Sequence, residues 1–199
     1  MICCHQIRTH FIDACEYIVY DDTDDKAWLV DCGEYPLVQQ WLTDHHKTLE
    51  GIFLTHAHCD HSGGVNDALQ ELPHVKVYIS ANEGLTYLQD ERLNQSRYVA
   101  KPFTIAPEHC LTLNDGQQVA LADGITLTAW QTPGHSPDSL TYRIGHWLFT
   151  GDAHIPGTPV VTRIKGSDKQ LAQQSKERIL HTLLDAQSTI CPGHFVIDN

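Results

Sequence analysis

The stretch Thr55-His56-Ala57-His58-Cys59-Asp60-His61-Ser62-Gly63-Gly64 places three imidazoles and a carboxylate within six positions and follows them with two glycines. Imidazole nitrogens and carboxylate oxygens are donors for divalent metals of borderline hardness. With 14 histidines in the chain, clustering alone is weak evidence, and the position of the cluster says more. Residues 49–55, Leu-Glu-Gly-Ile-Phe-Leu-Thr, form a short apolar run expected to be a buried strand. In extended chain, side chains at i and i+2 share a face, so His56 and His58 can offer nitrogens to one ion. Asp60 and His61 lie past the turn and can point elsewhere. Gly63 and Gly64 permit tight backbone geometry, and a helix is expected to start at Val65.

Three later stretches repeat this design, each setting a metal-capable side chain beyond an expected strand and after a glycine. Residues 125–131 run into Thr132-Pro133-Gly134-His135-Ser136, residues 147–150 into Gly151-Asp152-Ala153-His154, and residues 188–191 into Pro192-Gly193-His194. Glycine there lets backbone approach the site closely. Any one of these pairs is nearly worthless as evidence; their recurrence is the signal.

The remaining chain must supply the elements that hold these groups. Extended segments are expected at 7–12, 17–20 and 27–31. The acidic run Asp21-Asp22-Thr23-Asp24-Asp25 reads as a solvated hairpin turn, because it lacks the glycine and distal glutamate of a calcium loop. A helix is expected over 36–46 with Leu37, Val38, Trp41 and Leu42 inward. After the motif come a helix to about Leu72, a strand at 75–80 and helical chain over 82–100. From Cys110 onward the chain turns to short strands at 111–113, 117–121, 125–131, 140–144 and 147–150, with turns at Asn114-Asp115-Gly116 and Ala122-Asp123-Gly124. A helix over 167–184 and a strand at 188–191 complete the pattern. Two comparable halves result, about 1–110 and 111–199, with no linker between them, as in a single α/β domain with mostly antiparallel sheet.

Composition sets the outer bounds. With 41% hydrophobic and 19% charged residues the chain is ordinary globular protein. No apolar stretch is long enough to span a membrane, and the N-terminus lacks the basic region and apolar core of a secretory leader, so a cytoplasmic protein without a membrane partner is expected. Lys and Arg number 13 against 25 Asp and Glu, a net charge of -12, which argues against a nucleic-acid substrate and for a small molecule. Seven cysteines without a CxxC pair point to reduced thiols, with adjacent Cys3 and Cys4 incidental.

Taken in order, Leu29-Val30-Asp31-Cys32-Gly33, His56-x-His58-x-Asp60-His61, Thr132-Pro133-Gly134-His135, Thr150-Gly151-Asp152 and Pro192-Gly193-His194 resemble the motifs of the metallo-β-lactamase fold superfamily over nearly the whole chain. The resemblance implies an α/β (α+β) fold, a four-layer αββα sandwich of two mixed, mostly antiparallel sheets with outer helices and metals at one edge. It further implies that His56, His58 and His135 bind one divalent metal, that Asp60, His61 and His194 bind a second, and that Asp152 bridges them. Asp60 and Asp152 would be the catalytic carboxylates. Five imidazoles and two carboxylates suit two zinc ions and would accept iron or manganese. Two such ions roughly 3.5 to 4 Å apart can hold a bridging hydroxide at lowered pKa and polarise the carbonyl it attacks. Hydrolysis of a small ester, thioester or lactone is therefore the expected reaction, with Asp60 orienting the hydroxide.

An aspartate at 152 points away from true β-lactamases and toward the glyoxalase II, lactonase and related hydrolase branches. The sequence ends five residues after His194, short of the C-terminal helical domain with which larger glyoxalases II hold glutathione. Residues 153–159 also depart from the branch's Leu-Phe and glycine-rich continuation, so thioester hydrolysis stays among the expected reactions while recognition of glutathione is left open. Two rivals stay open: an iron-dependent oxidoreductase of the persulfide dioxygenase kind, and a metal-loaded ligand-binding or regulatory protein with little turnover. Flavodiiron proteins replace a motif histidine with glutamate, whereas position 58 here is histidine. His154 reads as a substrate contact or proton donor, or else as a histidine outside the site. Arg163 and Lys165 read as a clamp for a substrate carboxylate, or as solvated charge. Cys59 reads as a packing thiol. The 82–100 segment, with Tyr87, Leu88, Leu93 and Tyr98, and then Phe103, either walls the pocket or packs on the body. A homodimer is the assembly to test, since short members of the superfamily often pair.

Overall fold

In β2 (Cys15–Asp21), Tyr17 and Val19 face one side of the strand and Ile18 the other, and all three are buried, so the strand must be covered on both faces. The computed structural model describes residues 1–195; residues 196–199, at the end of the expected second half, lie outside the described residues. Strands β1 (Ile2–Arg8), β2, β3 (Lys26–Val30), β4 (Thr48–Phe53), β5 (Lys76–Ser80) and β6 (Cys110–Leu113) form a six-stranded sheet in that spatial order. Strands β7 (Gln118–Ala122), β8 (Ile125–Gln131), β9 (Leu140–Ile144), β10 (Trp147–Gly151) and β11 (Thr189–Pro192) form a five-stranded sheet in the order β11-β10-β9-β8-β7. Tyr17, Val19, Trp28 and Phe53 of the first sheet meet Leu127, Tyr142 and Phe149 of the second in a shared apolar layer. On the opposite face of the first sheet, Ile18, Leu29 and Ile52 lie under α1 (Tyr35–Asp44), the short α2 (Cys59–Ser62), α3 (Val65–Glu71) and α4 (Gly84–Leu88), covered by Val38, Trp41, Leu69 and Leu88. Leu148 packs on Ile179 and Leu183 in the π-helical turn that continues α5 (Lys169–Arg178). This is the αββα sandwich that the resemblance implies.

The sheets divide their pairing unequally. In the second, β7 to β10 pair antiparallel and β10 with β11 parallel. In the first, β1 to β3 pair antiparallel, but β3, β4, β5 and β6 run parallel. Helices bridge β3 to β4, β4 to β5 and β5 to β6, and a crossover of that kind returns the chain in the same direction. β6 still belongs to the first sheet, so the expected division near 110 falls inside a strand.

Three local expectations are corrected. β1 covers Ile2–Arg8 and not 7–12, because Ile12 and Asp13 have φ of 47° and 57° in the turn before β2, and left-handed backbone does not continue a strand. The helix expected over 82–100 stops at Leu88, followed by a 3-10 turn at Ser96–Tyr98. Asp90 Oδ1 accepts from Arg92 N at 2.7 Å and Asn94 Oδ1 from Ser96 N at 2.8 Å, local bonds that draw amides away from a helix. Leu37 is half-buried, and Tyr35 takes its place inside because α1 starts one residue early. By contrast α5 begins where a cap permits, with Asp168 Oδ1 accepting from Gln170 N and Leu171 N. No helix among the described residues is long and apolar enough to cross a membrane.

At one edge the two sheets are tied together. Leu140 N donates to Thr55 O at 2.7 Å, Tyr142 Oη to Leu54 O at 2.6 Å, Tyr17 Oη to Pro192 O at 2.8 Å, and Cys15 N to Gly193 O at 2.8 Å. Each such bond contributes about 1 kcal/mol net, and together they hold the ends of β2, β4, β9 and β11 in one frame.

Candidate metal centre

That edge gathers the expected ligands. His56 and His58 follow β4, Asp60 and His61 lie in α2, His135 follows β8, Asp152 follows β10 and His194 follows β11. The structure brings all seven together. His56, His58 and His135 form one group, His56, His61 and Asp152 another, and Asp60, His61 and His194 a third, with ligand atoms in each within 4.8 Å of one another. Asp152 Oδ2 stands 3.4 Å from His135 Nε2 and 3.3 Å from His194 Nε2, while its Oδ1 is 3.5 Å from His61 Nε2. It therefore sits between the groups. Asp60 Oδ2 is 3.4 Å from His61 Nε2 and 3.3 Å from His194 Nε2.

Hydrogen bonds on the outer nitrogens orient the rings. Thr55 Oγ1 donates to Asp31 Oδ2 at 2.8 Å, so its lone pair takes the proton of His56 Nδ1 at 3.1 Å. His61 Nδ1 donates to Asp31 Oδ2 at 2.9 Å, His135 Nδ1 to Val161 O at 3.0 Å, and His194 Nδ1 to Ile12 O at 3.1 Å. All four rings thus turn Nε2 inward, which is how a metal-binding histidine is held. His58 turns the other nitrogen in, its Nδ1 lying 3.0 Å from His135 Nε2. The Nε2 atoms of His56 and His61 and Oδ1 of Asp152 are buried without a hydrogen-bond partner in the protein. Unpaired buried polar atoms cost about 1–3 kcal/mol each, a cost that ligation of a cation removes. The residues fit two divalent ions.

Electrostatics sort the donors. Burial, reinforced by the neighbouring imidazoles, lowers His56, and it holds His58 down to about 3; burial lowers His135 as well. All three are neutral imidazoles at physiological pH. Burial alone would raise Asp60 and Asp152, but the His61 charge and hydrogen bonds from His194 hold both well below the usual carboxylate range. Against the lowering effect of burial, Asp60 and Asp31 raise His61, and Asp152 and Asp60 raise His194 to about 10. Metal binding must displace those protons.

Three supporting carboxylates were not legible as such in the sequence. Asp31, buried at φ 62°, accepts from Thr55 N at 2.7 Å as well as from Thr55 Oγ1 and His61. The available signal was its place just past β3, matching the other ligands. Asp138 Oδ2 accepts from Ala57 N at 2.8 Å, pinning the backbone between His56 and His58, and burial pushes it up to about 6. Glu16, buried in β2, accepts from Glu34 N, and burial pushes it up to about 7 from 4.5. An acid with a raised folded pKa holds its proton longer when folded, so stability falls as pH rises between those values. Urea unfolding should therefore show up to about 3 kcal/mol lost from pH 4.5 to 7. Glu16→Gln should remove that contribution and leave the smaller one of the same sign from Asp138.

The glycines before the ligands have a specific reason. A Cβ on Gly193 would lie 2.1 Å from Asp152 Oδ1, and Gly151 combines φ of 49° with the Thr55 side chain 2.6 Å from where its Cβ would be.

A cavity of about 500 Å³ opens over the cluster, reached by His58, Asp60, His135, Asp152 and His194. Cys59 lines it too, half-buried, with burial pushing its thiol up to about 11. Of the 82–100 segment, Gln95, Tyr98 and Val99 form wall, whereas Tyr87 and Leu88 pack in the body. The three candidate substrate contacts are absent from the lining of that cavity. His154 is buried away from the cavity, where burial and Lys176 lower its pKa. Arg163 borders a neighbouring cleft with Lys169, and Lys165 is exposed outside the cavity. In loop 155–168, Ile155, Val161 and Ile164 line the cavity, while Arg163 and Lys165 are exposed outside it.

Residues 13–194 match the family model described as the metallo-beta-lactamase superfamily. The hydroxyacylglutathione hydrolase of Pseudoalteromonas translucida (strain TAC 125) is 29% identical over 157 residues, covering 79% of this chain and 49% of that protein. That of Salmonella paratyphi A (strain ATCC 9150 / SARB42) is 30% identical over 184 residues, covering 91% and 62%. The chain thus spans about half to three-fifths of the length of these curated relatives. Among solved structures, the BLEG-1 B3 metallo-beta-lactamase superposes with a TM-score of 0.83 at 29% identity, over 98% of this chain and 92% of that one. TTHA1623, in a di-iron-bound form, shares the fold with a TM-score of 0.82 at 24% identity, over 96% and 92%. With the match running from Asp13 to His194 and the strand-end ligand order intact, the chain belongs to the metallo-beta-lactamase superfamily.

Proposed function

We propose that this chain, acting as one domain, is a hydrolase that uses two divalent metal ions to cleave a small ester, thioester or lactone. His56, His58 and His135 hold one ion, Asp60, His61 and His194 the other, and Asp152 is shared. The observation that carries the reading is the convergence of buried imidazole nitrogens without protein partners around a carboxylate placed between both groups. Likeness to hydroxyacylglutathione hydrolases supports a thioester. Zinc is the proposed metal, because imidazoles and carboxylates in this ratio suit it; bound here, the ions would supply Lewis acidity for the carbonyl and lower the pKa of water. The chain's own residues do the positioning: Asp31 fixes His61 and, through Thr55, His56, while Asp60 lies at the cavity floor where it can orient the attacking water. Seven free thiols support a reducing, cytoplasmic setting.

Elemental analysis should find two zinc ions per chain after reconstitution, and chelation should lower Tm by about 10 °C, as expected when a ligand near a thousandfold above its Kd is removed. Thiol release from an acetyl thioester should proceed without oxygen uptake. Product formation stoichiometric with oxygen consumption, or no turnover by zinc-, iron- and manganese-loaded protein, would show the reading to be wrong.

A further inference from the structure

Resting on the hydrolase reading, we infer that the substrate is a neutral thioester or ester carrying a hydrocarbon chain, which lies along the cavity wall outside the metal cluster. A glutathione conjugate is the wrong chemistry for that wall.

Beyond the ligands, the cavity is faced by Phe11, Ile12, Tyr98, Val161, Ile164 and Phe195, drawn from four separate segments of the chain. Several stand largely in solvent, with Tyr98 at 76% and Ile12 at 57% exposure. A contiguous exposed apolar surface around a polar centre marks a binding site rather than chance exposure, and the volume of about 500 Å³ is that of a small-ligand site. Among the described residues no lysine or arginine lines it. Two arginines pack against wall residues and are engaged there, while Arg163 borders the neighbouring cleft. Arg8 pairs with Asp13 at 2.9 Å and lies 4.7 Å over the Phe195 ring, and Arg97 lies 5.5 Å over the Tyr98 ring. A glutathione conjugate presents two carboxylates, which call for guanidinium or ammonium partners. The chain's charge of -12 further disfavours anion approach.

The turn carrying Phe11 and Ile12 adds an independent observation. Ile12 is β-branched yet held at φ 47°, a strained conformation for such a residue. Phe195 N donates to Asp13 O at 3.0 Å, Thr9 N to Ala14 O at 2.9 Å, and His194 Nδ1 to Ile12 O at 3.1 Å. The same carbonyl that orients His194 thus fixes the turn that sets Phe11 and Ile12 over the cavity. The wall is built onto the metal centre.

In the reaction, water oxygen bonds to the carbonyl carbon and the carbon–sulfur bond breaks. The electron pair leaves with sulfur, which takes up a proton, and the acyl group departs as a carboxylic acid.

The test uses the zinc-loaded 199-residue chain with acetyl and octanoyl thioesters of N-acetylcysteamine and with lactoylglutathione. Expected kcat/KM rises with chain length, by up to about fourfold per methylene, and the octanoyl thioester exceeds lactoylglutathione at least tenfold. Tyr98→Ala should lower the octanoyl-to-acetyl ratio at least fivefold, and Ile164→Lys should raise lactoylglutathione relative to the octanoyl thioester. Calorimetry on metal-stripped protein with the non-hydrolysable amide analogues should show the octanoyl amide binding more tightly than the glutathione one. Preference for lactoylglutathione, no chain-length dependence, or Tyr98→Ala altering the oligomeric state while leaving the ratio intact would overturn the inference. If no thioester, ester or lactone is cleaved, the hydrolase reading fails by itself, and the calorimetric order of the two amides still decides this one.

Discussion

Asp152→Ala is expected to leave fewer than two metal ions per chain and to lower thioester kcat/KM by at least about three orders of magnitude, or about 4 kcal/mol in transition-state free energy. The reason lies in its position. One carboxylate oxygen is within 3.4 Å of His135 Nε2 and 3.3 Å of His194 Nε2, and the other, buried and without a hydrogen-bond partner, is 3.5 Å from His61 Nε2. Alanine removes the one negative charge placed between both imidazole groups and leaves Asp60 as the remaining carboxylate among the proposed ligands. Loss of one charge-stabilising group in an active site typically costs two to three orders of magnitude, and loss of an ion adds to that. Asp152→Asn separates charge from shape, because it keeps the side-chain volume; it should behave nearly as badly as alanine. Emission spectroscopy on the purified variants gives metal content, and steady-state kinetics gives turnover. Full occupancy with wild-type turnover in either variant would remove Asp152 from the ligand set.

Asp31 carries the second large expectation, acting through His61 and Thr55 without touching a substrate. Asp31→Asn should weaken metal binding ten- to hundredfold with the fold intact. Its carboxylate accepts from Thr55 N, Thr55 Oγ1 and His61 Nδ1 at once. An amide can accept for some of these, but its own N–H₂ must then face a donor, so His61 loses the anion that fixes its tautomer. Asparagine also tolerates the φ of 62° at this position. Asp31→Ala removes every acceptor and strains the backbone as well; orphaning several buried donors should cost about 3–5 kcal/mol of stability. Calorimetric zinc titration of the asparagine variant, beside urea unfolding of both, separates the two effects. Zinc affinity equal to wild type in Asp31→Asn would show that Asp31 supports the fold without tuning the metal.

How much of this was legible beforehand depends on how far each interaction reaches along the chain. The seven proposed ligands were readable because each follows a short apolar run, three of them directly behind a glycine, and strand periodicity is a local property. β8 and β9 occur over the very residues expected, 125–131 and 140–144. Other features depend on partners distant in sequence. Asp31 reaches Thr55 across 24 positions and Asp138 reaches Ala57 across 81, so neither role could be seen in a window of residues. Local hydrogen bonds from Asp90 and Asn94 ended a helix that hydrophobic pattern alone favoured. Arg163 and Lys165 looked near the site in sequence, but of loop 155–168 it is Ile155, Val161 and Ile164 that line the cavity, with both charges exposed outside it. By itself the sequence supplied the proposed donors at strand ends, since residue type and period are written locally, and the order of its motifs carried the resemblance that implies the fold. The tertiary structure alone decided which carboxylates brace the histidines and which side chains wall the cavity, because the register between two sheets decides which distant side chains meet.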